Sequence, residues 1–537
     1  MRKVLPVLIL CACDGPAPPR TPPRGGELRT FLHDNPRSLD PATADDIVSA
    51  ELAGQIFEGL TRHAPYDPSR GLELVSGIAE RWEVAEGGRL YRFTLREGVF
   101  FHDDPCFADG RGHAVTADDV AFSVSRFLRR NQGMDLGLVL EFLEGARDHR
   151  EGRAPSVAGI SVEGPRKIAF HLSRPWGGFL HAMSRQVAWV VAPEAVALYG
   201  DGFATHPVGT GPFRLAEWNP SSHILLARHE HYWRRDPDGT SLPYLDRVKV
   251  LLLGGNSRLI DFEEGGQDVA VEVPRDPLWT RKGVRRLTVA RSNTIVLAFN
   301  LSRDTPYARD RRVRQALAHA VSAEPWVAGG VGVRAGSWLP PGFAEFDPGR
   351  RSPEFDLKMA AELLAKAGHP GGRGLPPLVF HVPEPEANQG SGHSGLVENW
   401  RKLGLHVELV GLPRPLFWER IERGELDFFR WGIIAGPEPA EQVYAPFWSR
   451  SGYRGLGYRN PEFDRVYETL LAQADLSRRR TLCARLEAIL EEDAPILLLR
   501  RDVWVEAVQP WVVNYEPSVN PFGLRFFEVV RLRKRTP

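Results

Sequence analysis

The chain has 537 residues, too many for one ordinary core, and its 42% hydrophobic and 25% charged residues are those of a globular protein with several lobes. Lys+Arg and Asp+Glu balance at 68 each and no basic cluster breaks that balance, so no long-range field draws in a phosphate backbone, and nucleic acid is excluded as a partner. Fourteen tryptophans and 27 phenylalanines mostly fill cores, but chains this aromatic also line ligand clefts.

At the start, Arg2 and Lys3 precede an apolar run, Val4 to Leu10, interrupted by Pro6. Leu10-Cys11-Ala12-Cys13 follows. This has the form of a bacterial secretion signal with a lipobox, and residues 1–13 are expected to be that signal, up to an acylated Cys13. Cys13 fits better than Cys11, because Leu10 would be a bulky residue before the cleaved bond. A short export signal with incidental cysteines is the plain alternative. Diacylglyceryl transfer to the thiol and acylation of the new amine would give a stable membrane anchor. Residues 14–26, rich in proline, read as an extended tether. No later stretch is long and apolar enough to span a bilayer. Cys106 and Cys483 are too far apart in sequence to give metal spacing or a disulfide framework.

The folded body is expected from Glu27. Glu27 to Phe31 alternates like a strand, and Ser49 to Leu60 has helical spacing with a stop at Gly59. Trp82 to Val84, Leu90 to Leu95 and Val99 to Phe101 read as strands separated by glycine turns. Thr116-Ala117-Asp118-Asp119 has capping-box form and opens a helix through Phe127. Strands dominate from Gly164 to Leu172 and from Phe213 to Leu226, and Leu245 to Leu253 is a buried strand. Between them His206 to Trp218, HPVGTGPFRLAEW, predicts a tight turn at Gly209, Gly211 and Pro212, then a half-buried strand. Helices are expected at Asp310–Val321, Asp356–Ala367, Leu396–Leu403 and through most of Leu470–Glu492. Strands are expected at Leu378–Val382, Leu405–Val410 and Ile496–Leu499. Strands interleaved with helices indicate an α/β protein.

Many runs in this order resemble one family. They include SLDPATADD from Ser38, QIFEGL from Gln55, IAERWEVAEGGRLYRFTLREGVFFHDD from Ile78, and HAVTADDVAFSVSRF from His113. HPVGTGPFRLAEW, HEHYW from His229, YLDRVKV from Tyr244 and NTIVLAFN from Asn293 continue the series. RRVRQALAHAVS from Arg311, FDLKMAAELLAKAGHPGG from Phe355, GELDF from Gly424, NPEFDRVY from Asn460 and EEDAPILLL from Glu491 complete it. The chain resembles the solute-binding proteins of ABC importers in the extracellular family 5, the peptide/nickel class. The resemblance implies a class II periplasmic-binding-protein-like fold, two α/β lobes with hinge strands plus an extra domain. Residues 27–57, 206–272 and 485–537 would form a discontinuous lobe I, 58–205 the extra domain and 273–484 lobe III.

Patterns that suggest an enzyme are weaker than this. His102-Asp103-Asp104 with Cys106 groups metal-ligand types, but falls on a strand-and-turn landmark of the family. His229-Glu230-His231 lacks the i, i+4 spacing of a zinc helix. No nucleophile–base set stands out, so neither catalysis nor a cofactor is expected.

The site implied by the resemblance lies in GELDFFRWGIIAGPEPAEQ, from Gly424. Peptide binders of this class carry Arg-x-Gly-Trp-x-Ala-Asp-Tyr there, and its Asp grips the ligand α-ammonium through a charge-assisted bond. Asp427, Arg430, Gly432, Ala435, Glu438 and Pro439 align, with one residue missing before Glu438. Ile433 replaces the Trp and Gly436 replaces the Asp. Asn35, Pro36 and Arg37 match a segment that runs along the ligand backbone, with Asn35 in place of an acid. The expected ligand-binding set is therefore Asn35, Pro36, Arg37, Arg430, Trp431, Ile433, Ala435, Gly436 and Glu438. Either Glu438 or Glu441 substitutes for the missing acid, or the ligand has no free ammonium. The expected ligand is a peptide or another small solute, ahead of an oligosaccharide, nickel chelate or haem. The expected partner is an ABC permease, with a sensor system as the alternative recipient. The protein is expected to be a monomer tethered by its lipid.

Overall fold

The structure is a computed structural model. It describes residues 24–533 apart from 33, 45, 66, 68–71, 131–138, 140–141, 253–256, 272, 274–282, 329, 331, 388–391, 437–438, 452, 454 and 516–524. Cys13 and Glu438 lie outside the described residues. No helix among the described residues is long and apolar enough to cross a membrane.

The first body is a four-stranded sheet in the order Glu27–Leu32, Arg247–Leu252, His223–Arg228, Phe213–Asn219. Its first strand pairs in parallel with Arg247–Leu252, although some two hundred residues of chain separate them. Leu28, Thr30, Ile224, Leu226, Val248 and Val250 are buried on one face of it, the in-and-out alternation expected of half-buried strands. Helix Ile47–Ile56 packs against this sheet, with Asp46 capping it by accepting from Ser49 N. The helix ends before the expected stop at Gly59. Phe57 is already extended, and the Ile56 carbonyl is taken by Gly211 N at 2.8 Å.

The second body is an antiparallel sheet ordered Ala79–Ala85, Leu90–Leu95, Lys167–His171, Ile160–Gly164. Helix Ala117–Arg130 lies against it, opened by the expected capping box: Thr116 N and Oγ1 both donate to Asp119 Oδ2 at 2.8 Å. Val99 to Phe101 forms an isolated bridge at Phe100 and Ala114 rather than the expected strand. After two ladder bonds to 113–115 the chain turns away through Asp104, whose carbonyl accepts from Phe107 N.

The third body is an eight-stranded sheet. Its main path is Val269–Ala270, Ile496–Val508, Asn293–Phe299, Phe428–Ile434, Leu378–Pro383, Val407–Leu412; Arg285–Ala290 and Gly332–Arg334 also pair with Ile496–Val508. Leu378–Pro383 runs parallel to both of its neighbours, and helices Gly392–Lys402 and Arg414–Glu422 form the crossovers. One face packs Ile295, Leu297, Phe380 and Phe428 against Trp400 and the helices. The other buries Val296, Phe429 and Trp431 with Trp338, Phe447 and Trp448.

Two expectations change here. The strand anticipated at Ile496–Leu499 extends to Val508. Its first part pairs with Asn293–Phe299 and its later part with Arg285–Ala290 and Val269–Ala270. Residue 485 lies inside helix Leu476–Asp493, and residues 496–500 pair into the third body. The helix expected through 470–492 is two helices, Pro461–Leu471 and Leu476–Asp493. Asp475 caps the second by accepting from Arg478 N at 2.9 Å, and the Leu471 carbonyl accepts from Gly177 N of the second body at 2.8 Å.

Candidate functional site

The turn at 206–212 is a scaffold that two histidines hold. His102 Nδ1 accepts from Gly209 N at 3.3 Å, which leaves its Nε2 to donate to the Gly211 carbonyl at 2.9 Å. His229 Nδ1 reaches the same carbonyl at 3.1 Å, and the two rings meet edge to face at 4.7 Å. Burial pushes the His229 pKa down to about 4 and that of His102 well below its usual value. Both imidazoles are therefore neutral and committed to backbone, a structural use of the two patterns that resembled metal sites. Among the described residues, no three His, Cys, Asp or Glu side chains are grouped to hold a metal. Cys106 and Cys483 are both free thiols.

The residues expected at the ligand fall on two bodies. On the first, Asn35 Oδ1 accepts from Trp218 Nε1 at 3.2 Å and its Nδ2 donates to the Pro220 carbonyl at 3.2 Å. Pro36 is buried, and Arg37 N donates to Ser49 Oγ at 2.9 Å while its side chain is exposed. On the third body, Arg430, Trp431 and Ile433 lie in strand Phe428–Ile434, with Ala435 and Gly436 at its exit. Side chains alternate along a strand, so Arg430 points to one face of the sheet and Trp431 and Ile433 to the other. Trp431 is buried, its ring stacked on Trp338 at 5.1 Å and Tyr453 at 5.5 Å. Ala435 is buried and half-buried Gly436 follows it.

Glu441 does not stand free to replace the missing acid. It is fully buried, and Arg479 Nη2 donates to its Oε2 at 2.5 Å while Trp176 Nε1 donates to its Oε1 at 3.0 Å. A second carboxylate, Glu345, takes Arg479 Nε at 2.5 Å.

Arg430 belongs to a cluster that the sequence did not reveal. It faces Leu297 across the ladder, and Gly432 and Arg500 flank Ile295 on either side. This is the edge at which strands 378–383 and 428–434 end, where ligands of open α/β sheets bind. Glu386, in the turn after 378–383, places Oε2 3.5 Å from Arg430 Nε and 3.8 Å from His393 Nε2. His393 is wedged edge to face with Trp326 at 5.3 Å and tilted against Phe380 at 5.6 Å. Arg500 pairs with Asp502 and lies over the Trp326 ring at 5.8 Å. Burial, then mutual repulsion with Arg430, pulls the Arg500 pKa down to about 10. Burial and the two guanidiniums keep the His393 pKa at about 4. Such a site can bind an anion; it contains no nucleophile with a base.

Residues 73–455 match the family described as bacterial extracellular solute-binding proteins, family 5. The dipeptide-binding protein of Escherichia coli (strain K12) is 24% identical over 93% of this chain and 92% of its own length. The periplasmic binding protein DppA of Helicobacter pylori, solved with the peptide STSA, superposes with a TM-score of 0.72 at 22% identity, over 95% of this chain and 99% of that one. The oligopeptide-binding protein AppA of Bacillus subtilis, solved with a nonapeptide, gives 0.69 at 21% identity, over 96% and 100%. These likenesses carry the fold across about 95% of the chain, and the family match carries the class. The chain belongs to the bacterial extracellular solute-binding proteins of family 5, a family of binding proteins and not of enzymes.

Proposed function

We propose that this chain is the substrate-binding lipoprotein of an ABC importer, which captures a peptide or peptide-like solute outside the cytoplasmic membrane and hands it to the permease. The observation that carries this reading is the match to proteins named for dipeptide and oligopeptide binding along nearly the full length of the chain. In this reading Cys13 holds the lipid and residues 14–26 the tether. Residues 27–57 and 206–272, with the end of the chain, form lobe I; residues 58–205 form the extra domain. Lobe III begins at 273, and the pairing of 496–508 supports carrying it to about residue 500. Asn35 to Arg37 from one side and Arg430 to Gly436 from the other line the cleft that closes on the ligand by hinge motion. The protein works as a monomer.

Native mass spectrometry of the purified protein tests the ligand class. A retained solute of peptide-like composition supports the reading, and a retained glycan, nickel chelate or haem overturns it. For the anchor, Cys13→Ala moves the protein from the membrane fraction to the soluble fraction; an unchanged distribution refutes lipidation at Cys13.

A further inference from the structure

Arg525 stands where the first and third bodies meet, and its own segment belongs to the first. Gln55 Nε2, on helix Ile47–Ile56, donates to the Arg525 carbonyl at 3.0 Å, and Tyr244 N donates to the Glu528 carbonyl at 3.2 Å. A carboxylate from each body takes the guanidinium. Nε donates to Glu51 Oε1 of that same helix at 2.8 Å, and Nη1 donates to Glu506 Oε1 of strand Ile496–Val508 at 2.5 Å. Nη1 also donates to Tyr515 Oη at 2.6 Å, and Cζ lies 5.4 Å over the centre of the Trp504 ring. The side chains of Arg525 and Glu506 are each 4% exposed, so water does little to support either charge.

This pair lies beside the crossing between the two bodies. Two residues past Glu506, Val508 pairs with Val269. Asp268 N then donates to the Arg29 carbonyl of the first sheet at 2.8 Å, and Gln509 N donates to the Asp268 carbonyl at 3.0 Å. When the bodies swing about this crossing, Glu51 and Arg525 travel together and Glu506 travels with the third body. The two sides also differ in how well they are satisfied. Arg525 keeps Glu51 and Tyr515 whether or not Glu506 stays. Glu506 Oε2 and Trp504 Nε1, two residues apart on one face of the strand, are buried without a hydrogen-bond partner, although native structures leave few such atoms unpaired. The third-body side of the contact is therefore the side with bonds left to make in another arrangement.

We infer that Arg525 is a clasp between the two bodies: it holds Glu506 at the setting of this structure and releases it when the bodies swing, while Glu51 keeps the guanidinium paired throughout. The inference rests on the reading of this chain as a two-lobed receptor that closes by a hinge. Such a contact sets what share of the empty protein stands ready for a solute, because binding shifts a population that the protein's own contacts have already weighted.

Pulsed electron–electron resonance between nitroxides at Ala216→Cys and Ala365→Cys tests this. Both positions are exposed, one in strand Phe213–Asn219 of the first body and the other in helix Leu357–Lys366 of the third. Cys11, Cys13 and Cys106 are changed to Ser, and Cys483 is buried from the label. The dialysed parent is expected to give one narrow distance. Glu506→Gln should add a second population of roughly a tenth or more, and Glu51→Gln should not. Glu506→Gln leaves Arg525 beside Glu51, so it is expected to fold. Arg525→Lys keeps the charge but loses the fork that reaches both carboxylates; it should add the same population and serves if Glu506→Gln does not fold. A Glu506→Gln distribution equal to the parent's overturns the clasp. So does equal broadening in Glu51→Gln, which would be a general effect of lost charge. The two readings separate. A parent already spread over two distances, unmoved by Glu506→Gln, keeps the hinge and removes the clasp. One narrow distance in the parent and in every variant removes the clasp and the swing together.

Discussion

Trp176 and Glu441 meet across the seam between the second and third bodies, with the indole Nε1 donating to the carboxylate at 3.0 Å. The indole itself belongs to the second body, stacked on Phe142 at 5.3 Å, while the carboxylate is bound from behind by Arg479. Gly178 makes the approach possible, since a Cβ there would lie 2.3 Å from Glu441 Oε1. The seam is thus bound through a charge that is never solvated.

Removing that charge should cost more than removing the indole donor. Glu441→Gln leaves Arg479 buried beside one carboxylate instead of two, and about 3–5 kcal/mol of stability is expected to be lost. Trp176→Phe gives up one hydrogen bond to a charged group, about 1.5–3 kcal/mol. Urea unfolding of both variants measures this order; a Glu441→Gln protein as stable as the parent contradicts a structural role.

The 206–212 turn tolerates no side chain at two of its glycines. A Cβ on Gly209 would stand 2.3 Å from the Ile56 carbonyl oxygen, and one on Gly211 2.6 Å from that of Gln55. Gly209→Ala and Gly211→Ala should each cost about 1–3 kcal/mol or more through forced backbone shifts. Gly202→Ala, with nothing within 4 Å of the new methyl, should stay within about 0.5 kcal/mol of the parent. Thermal melts of the three variants decide it.

Acid should weaken the fold through its buried imidazoles. His229 and His393 titrate near 4 when folded and near 6.5 when unfolded. Between these values the unfolded chain binds more protons, so stability rises with pH across that window. It is complete above about 6.5 and falls as pH drops toward 4, by on the order of 3 kcal/mol for each group. His229→Gln should flatten part of this slope in urea titrations at pH 4 to 7. A slope identical to that of the parent would place the acid sensitivity elsewhere.

Restoring an acid at the strand exit should change what is bound. In Gly436→Asp, a free α-ammonium gains a charged partner of about 1.5–3 kcal/mol, which is roughly tenfold or more in affinity for ordinary dipeptides. Calorimetry with Ala-Ala on the parent and the variant reads it directly. No gain in the variant would show that position 436 does not face the ligand amine.

Most local elements were legible because their signals are local. The Thr116 box, the Asp356 cap and the alternation of Leu90–Leu95 each reside in a few adjacent residues. What escaped depends on partners far away. Arg500-Arg501-Asp502 reads as the end of a strand. The strand runs on because Arg501 donates to the carbonyls of Ser337 and Leu339, and Asp502 accepts from Asn293 Nδ2 at 2.6 Å. The break at 472–475 follows from a carbonyl committed to Gly177, which no periodicity can reveal. The site divides in the same way. Arg430 and Gly436 are visible in a family motif, whereas Glu386, His393 and Arg500 join it only once the sheet aligns 378–383, 428–434 and 496–508.

The long strand Ile496–Val508 has a mechanical consequence. It is clamped by one ladder up to Arg500 and by another from Val503 onward, and a register slip between Ile295 and Val296 marks where the first ladder loosens. Between them Arg501 and Asp502 pair with Val333 and Gly332, so the strand is held along its whole length and joins the two ladders into one stiff rail. A displacement imposed at one end of the rail therefore reaches the other without a slack residue to absorb it.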